Sequence, residues 1–116
     1  MSITVFDFSR QAAAKGKFVV LRKTKGAGDG IVLFSDFSQD SQHVDILRRW
    51  ERTHSTSLAA AGMVTAGGGW WKRIGTTTIV LYGSSAAFGR FDRAWLRERL
   101  TPADVPSVSE ILIEDE

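Results

Sequence analysis

The sequence predicts a single α+β domain, residues 1–116, in which one mixed β-sheet is flanked by two α-helices. With 116 residues the chain has room for one hydrophobic core, and 43% hydrophobic residues is a globular composition. Short β-branched and aromatic runs alternate with two segments in which apolar residues recur at helical spacing. Strands and helices in this order are typical of a sheet that carries its helices on its faces.

Two strands and a connection are predicted in the first third of the chain. Residues 17–23 and 31–34 are β-branched and aromatic runs, and we interpret both as strands. The glycine-rich residues 25–30 between them resemble a dinucleotide-binding loop only superficially, because such a loop needs a helix directly after it. Since a strand follows instead, we predict a flexible hairpin connection.

The first predicted helix runs from Ser41 to about Ala61. Asp40 or Ser41 can cap its start, and Gly62 can end it. The helical spacing predicts that these apolar residues face the core: Val44, Leu47 and Trp50 on one face, with Leu58 and Ala61 further along.

Three strands are predicted around a glycine cluster in the second half. Residues 63–66 and 70–74 form two short strands, separated by a break at the glycines 67–69. Residues 76–82 are rich in threonine, isoleucine and valine, which favour a third strand.

A second helix is predicted at about 90–100. Its residues divide into two sets, with Phe91, Trp95 and Leu100 inward and Arg93, Arg97 and Glu98 outward. Pro102 and Pro106 mark a loop, and the alternating residues 108–113 predict a final strand.

Composition excludes several classes of site. Without cysteine, the chain has no disulfide, thiolate metal site or cysteine nucleophile. No apolar run approaches the ~20 residues that cross a bilayer, and the N-terminus lacks signal-peptide features, so we expect a cytoplasmic protein without a membrane partner. The net charge of +2 is too small to indicate nucleic acid. His43 and His54 would be roughly 16 Å apart on a helix, so they cannot share an ion, and we expect no metal site.

Three short segments remain as candidates for an anion site. His43 falls in the first turn of the predicted helix, where the N–H groups of Val44 and Asp45 carry partial positive charge. Residues 82–89 run from a strand into a loop of small residues, whose backbone can approach a ligand closely. Lys17 is a possible counter-charge. Each segment also has a structural interpretation: a solvated histidine, a tight connection and a solvated lysine.

Four sequence segments occur in a characteristic order: GKFVVLRK, QHVDILRRW, AGGGWWKR and IVLYGSSAAFGRF. They resemble motifs of the protein histidine phosphatase (Janus/Ocnus) family. The first is similar to its first core strand, the second to its His-x-Asp helix start, and the third to its triple glycine before a basic residue. The fourth resembles its strand followed by Tyr-Gly-x-Ser-x-Ala-aromatic-Gly. The resemblance extends from about Lys17 to the last predicted strand.

The resemblance implies a phosphohistidine phosphatase that uses no metal or other cofactor. His43 would be the catalytic histidine, acting as general base or as nucleophile. The implied phosphate-binding groups are the cation of Lys17, the N–H groups of Val44 and Ala87, and the hydroxyl and N–H of Ser85. The implied partner is a phosphohistidine-containing protein or a small phosphoramidate. A phosphate or sulfate ion would fit the same pocket, and we expect a monomer.

The residues after the three glycines depart from the family pattern, which has arginine directly there. Here Trp70 and Trp71 precede Lys72 and Arg73, so either Arg73 restores the charge or the tryptophans suit another ligand. An alternative function is therefore a non-catalytic module that binds an anion, a phosphopeptide or nucleic acid through the same pocket and Trp70 or Trp71. Because adjacent strand residues face opposite sides, we expect at least one tryptophan in the core.

Overall fold

The computed structural model describes residues 3–6, 15–24, 29–36, 42–105 and 108–114, and it confirms the α+β class. The strands are β1 (Ile3–Phe6), β2 (Lys15–Lys23), β3 (Gly30–Asp36), β4 (Met63–Ile74), β5 (Thr78–Tyr82) and β6 (Glu110–Ile113). The helices are α1 (His43–His54) and α2 (Arg93–Arg99), and a short 3-10 helix (Pro102–Asp104) precedes β6.

The six described strands form one mixed sheet in the order β1-β3-β2-β4-β5-β6. The inner pairings are antiparallel, whereas each edge strand pairs in parallel, β1 with β3 and β6 with β5. The antiparallel pairing of β2 with β3 confirms the predicted hairpin, although residues 25–28 of its connection lie outside the described residues. Strand β1 was not predicted, because its four residues are too few to show a period and its partner β3 is distant in sequence.

Each face of the sheet carries one apolar cluster. The face towards α1, called the α1 side, has a cluster of Val19, Leu21, Leu33, Ile46, Trp50 and Met63. The opposite face, called the α2 side, has a larger cluster that includes Phe18, Val20, Phe34, Trp71, Trp95 and Leu96. Because β2 is covered from both sides, residues 18–21 are all buried, and the strand appears in the sequence as a continuous apolar run.

Helix α1 is shorter than the predicted segment. It ends at His54, where Ser55 adopts a left-handed conformation (φ 51°) and its N–H donates to the Arg52 carbonyl. The predicted end at Gly62 is therefore wrong, although Leu58 and Ala61 still pack against the α1-side cluster from the turns after the helix. The residue before the helix is Gln42, whose side chain makes no cap bond, and the predicted caps Asp40 and Ser41 lie outside the described residues.

Strand β4 continues through the three glycines, so the predicted break at 67–69 is wrong. Its register against β2 shifts there: Leu21 lies opposite Thr65, but Val19 lies opposite Gly68. One residue of β2 therefore faces two of β4, which is a β-bulge at residues 66–67, and Gly67 takes a positive φ of 93°. The extra residue reverses the alternation of side chains, so Gly68 and Trp70 face the α1 side and Trp71 faces the α2 side.

Helix α2 is shorter than the predicted segment at both ends. It begins after Asp92, whose carboxylate accepts from the Trp95 N–H over 3.0 Å. The predicted outward position of Arg93 is wrong, because its side chain is buried. The guanidinium donates to three carbonyls, those of Gly83, Phe91 and Glu114. These bonds satisfy a group that burial would otherwise penalise. Among the described residues, no helix has the length and apolarity needed to span a membrane.

Candidate functional site

A cavity of about 320 Å³ opens on the α1 side of the sheet. Its lining residues come from β2, from the start of α1 and from the loop after β5: Lys17, Gln42, His43, Val44, Ala86 and Ala87. The three sequence segments that were candidates for an anion site thus meet at one cavity.

His43 is the first residue of α1 and is only 6% exposed. Its Nε2 atom lies 2.8 Å from the Gly69 carbonyl oxygen. Since a carbonyl only accepts hydrogen bonds, this contact assigns the proton of the neutral ring to Nε2 and the lone pair to Nδ1. The bond fixes both the orientation of the ring and the atom that is able to accept a proton or attack an electrophile.

The surroundings of His43 favour its neutral form. Burial lowers its pKa below the ordinary histidine value of 6.5, because desolvation penalises the imidazolium. The hydrogen bond to Gly69 opposes this effect, and the positive charge of Lys17 lowers the pKa further. Desolvation is the largest of the three influences, so the folded protein holds the imidazole neutral near pH 7.

Glycines in β4 make room for this histidine. A Cβ atom at Gly68 would lie 3.2 Å from Cδ2 of His43, 3.3 Å from Cβ of Ser85 and 2.6 Å from the Phe18 carbonyl oxygen. The bare backbone at Gly68 therefore lets α1 and the loop after β5 approach the sheet at the same point. The triple glycine is thus a packing requirement of the site.

The loop of residues 83–89, called the serine loop, is held by its own hydrogen bonds. The Ser85 hydroxyl accepts from the N–H groups of Ala87 (3.2 Å) and Phe88 (3.1 Å). Ser85 and Gly89 also exchange backbone hydrogen bonds of 3.1 and 2.8 Å. The N–H groups of Ser85 and Ala87, which the family resemblance assigns to phosphate, thus donate within the loop. Their roles as phosphate donors stay predictions.

Lys17 and Trp70 form the sheet side of the site. They lie directly opposite each other in β2 and β4, and the Lys17 Nζ atom is 4.9 Å from the centre of the Trp70 ring. The Trp70 ring in turn meets the His43 ring edge-on, with 6.3 Å between ring centres. An ammonium group and an aromatic surface therefore both adjoin the catalytic candidate.

The structure does not bring Arg73 to the cavity. In β4 it alternates with Trp70 and Lys72, so it belongs to the α2 side, and its guanidinium donates to the Thr76 carbonyl in the turn after β4. Trp71 on that same side is buried and donates from its indole to the Ser35 carbonyl over 2.9 Å. The expectation that at least one tryptophan packs in the core is confirmed.

His54 lies at the opposite end of α1 from His43. Its ring stacks on Trp50 with 4.6 Å between centres, and its Nδ1 atom lies 2.9 Å from the Trp50 carbonyl oxygen. Within the described parts of the chain, no three histidine, aspartate or glutamate side chains are grouped in a way that would hold a metal ion.

Sequence reasoning did not single out Gln42 and Ala86 as lining residues. Both are immediate neighbours of predicted site residues, so their proximity in sequence was the available signal. The position of Trp70 beside His43 was not predicted either, because the bulge that turns it to this face has no signature beyond the glycines themselves.

A comparison with models of known protein families gave no match to this sequence, and a search of curated proteins found no similar sequence. Any assignment of function therefore depends on the residues around the cavity and on their chemistry.

Proposed function

We propose that this protein is a metal-independent phosphohistidine phosphatase in which His43 is the reacting group. The observation that supports this most directly is the shared cavity. Lys17, His43, Val44 and Ala87 come from three distant segments of the chain and line one volume of about 320 Å³. These are four of the five residues to which the family resemblance assigns a role.

The cavity suits a phosphoryl group because its lining offers several kinds of donor. Lys17 contributes an ammonium group, and Val44 lies in the first turn of α1, where backbone N–H groups carry partial positive charge. Ala86 and Ala87 bring backbone without bulky side chains. To donate to phosphate, the Ala87 N–H would have to exchange its bond to Ser85 for one to the ligand.

A neutral His43 supports either of two roles. As a general base, Nδ1 takes a proton from water while the water oxygen bonds to phosphorus and the P–N bond breaks. As a nucleophile, Nδ1 bonds to phosphorus itself, and water later releases phosphate from His43. In both roles the substrate imidazole leaves with the electron pair of the P–N bond and takes up a proton.

Phosphohistidine fits this site because its bond needs little activation. A P–N bond becomes labile once the leaving imidazole is protonated, so the site's task is to orient the phosphoryl group and to spread its charge over fixed donors. This is the reason for proposing catalysis without a metal ion or cofactor. A phosphohistidine protein or a small phosphoramidate is the proposed substrate, and a cytoplasmic monomer is part of the same proposal.

The test is phosphate release from a histidine-phosphorylated peptide, with and without EDTA. We expect His43→Ala to lower kcat/KM by about 10³-fold or more, since it removes the reacting atom. The matched control is His54→Ala, at the other end of the same helix, which should retain wild-type activity. Full activity of folded His43→Ala, or loss of wild-type activity in EDTA, would refute the proposal.

A second measurement separates the two roles of His43. If His43 is the nucleophile, rapid acid-free quenching during turnover should trap a phosphoryl group on its Nδ1 atom, detectable by mass spectrometry of the peptide that contains it. If His43 is a base, no such adduct forms while turnover continues at the same rate.

A non-catalytic binding module is the second candidate function, and the aromatic residues beside the cavity favour it. Trp70 lies next to Lys17, and the Lys72 Nζ atom is 5.0 Å from the centre of the Tyr82 ring. Such pairs can stack on, and charge-pair with, a phosphopeptide or a nucleic acid. Fluorescence titration of wild type and Trp70→Phe distinguishes the candidates: tight, steeply salt-dependent nucleic-acid binding without turnover would favour the module.

A further inference from the structure

Among the residues that the structure describes, helix α1 covers only part of its side of the sheet. Its main contacts are with β2 and β3. Further along the same face, the side chains of β4, β5 and β6 belong to neither apolar cluster. We call this surface the open face, and it consists of Lys72, Ile74, Tyr82 and Leu112, with the buried Val80 between Lys72 and Leu112 in register.

The register of the strands shows how the open face is arranged. Lys17, Trp70 and Tyr82 form one row across β2, β4 and β5. The next row, about 7 Å further along the strands, contains Lys72, Val80 and Leu112. The row of Lys17 and Trp70 borders the cavity, so the open face continues directly from the candidate site.

The open face is amphipathic. Ile74 and Leu112 are 51% and 43% exposed, so each presents apolar surface to water. Lys72 lies in the same row as Leu112, between Ile74 and the cavity row, and its cross-strand neighbour on β2 is Lys15. Of the two described acidic residues at β6, Glu110 lies in the row furthest from the cavity, where it accepts from the Thr78 hydroxyl over 3.4 Å, and Glu114 follows the other end of the strand.

We propose that the open face binds the polypeptide segment that flanks the phosphohistidine, and that this segment is acidic next to the histidine and apolar beyond it. This inference rests on the proposed function and specifies its substrate class. The acidic part would meet the lysines of the two rows nearest the cavity, by charge complementarity. The apolar part would cover Leu112 and Ile74, which are then removed from water.

The experiment compares kcat/KM for three substrates: phosphoramidate and two phosphohistidine peptides of equal length. One peptide carries glutamate and leucine beside the histidine, and the other carries lysine and serine. We expect the wild type to prefer the acidic peptide by about tenfold at low salt, and this preference should shrink in high salt.

Two substitutions on the open face test the assignment. Leu112→Glu should lower kcat/KM for the acidic peptide by about fivefold or more. The new carboxylate repels the acidic part of the peptide, and the apolar contact of Leu112 is lost. Lys72→Glu should reverse the preference between the peptides. Neither should change kcat/KM for phosphoramidate, which is too small to reach this surface. The matched control is Val64→Glu, which replaces a residue 50% exposed in the other half of β4.

The outcomes distinguish this inference from the proposed function. If both variants hydrolyse the peptides as the wild type does, the open face is not the binding surface, while the phosphatase activity stands. If Val64→Glu causes the same losses, the effect is general and the inference also fails. A wild type that hydrolyses none of the three substrates would overturn both the proposed function and this inference.

Discussion

At the scale of single residues, the environment of His43 disfavours the protonated, positively charged form of its ring. It is buried, it begins a helix whose N-terminus is positive, and Lys17 lowers its pKa further. The Gly69 carbonyl accounts for its single described side-chain hydrogen bond and leaves the lone pair on Nδ1. These contacts favour a neutral imidazole.

We expect His43 to make the folded protein less stable in acid. Because its pKa is lower in the folded chain than in the unfolded chain, the unfolded chain binds the proton first as the pH falls below 6.5. The free energy of unfolding is therefore highest above that pH and decreases as the pH falls towards the folded pKa. Thermal unfolding measured from about pH 8 to about pH 5 tests this.

The controls for this measurement are two glutamine variants. His43→Gln should lose part of the acid-dependent decline in melting temperature, whereas His54→Gln, an exposed histidine, should decline as the wild type does. If His43→Gln and the wild type decline in parallel, the pKa of His43 is not lowered in the folded protein.

At the scale of elements, β4 organises the site through its glycines. The bulge at residues 66–67 reverses the alternation of the strand, which turns Trp70 towards His43 and Trp71 into the core. Gly68, directly after the bulge, lies where the His43 ring and Ser85 meet the sheet. Residues 66–68 thus set the register of β4 and open the space that the site requires.

Replacing Gly68 by alanine should disturb both the packing of β4 against β2 and the position of the His43 ring. The new Cβ would lie 2.6 Å from a backbone oxygen of Phe18 and 3.2 Å from the His43 ring, so we expect a loss of about 2–3 kcal/mol in the free energy of unfolding. Gly75→Ala is the control: its φ is 66°, but nothing lies within 4 Å of its Cβ position, so it should lose only about 1 kcal/mol. Denaturant unfolding measures both, and equal losses would contradict the packing role of Gly68.

At the scale of the whole molecule, the sheet separates two apolar clusters, and a few polar contacts join distant segments around it. Arg93 is the main example: from the start of α2 it donates to the carbonyls of Gly83 and Glu114. Gly83 opens the serine loop, and Glu114 follows β6. Arg93 therefore links the site loop, a helix and the end of the sheet.

Removing this link should destabilise the whole fold. Arg93→Met leaves three carbonyls without their donor, so we expect a loss of about 2–4 kcal/mol in the free energy of unfolding. Arg97→Met removes an exposed bond to the Ile113 carbonyl from the same helix and should lose less than about 1 kcal/mol. Urea unfolding compares the two. A loss for Arg93→Met no larger than that for Arg97→Met would contradict this role.

Local patterns in the sequence determined the fold class, several of the strands and helices, and the candidate site residues. The apolar run of β2, the β-branched run of β5 and the helical spacing around Trp50 predicted elements that the structure confirms. The α+β class followed from their order. The pattern also selected His43, Lys17 and the serine loop as candidates before their distances were known. These features depend on neighbouring residues in the chain, so a single sequence is enough to reveal them.

Only the tertiary structure decided which side chains meet. The bulge in β4 assigned Trp70 and Trp71 to opposite faces and kept Arg73 from the cavity. The burial of Arg93 depended on carbonyls up to 21 residues away. Strand β1 owes its place to pairing with β3. Register, burial and partner carbonyls are relations between distant segments, and for that reason local periodicity does not contain them.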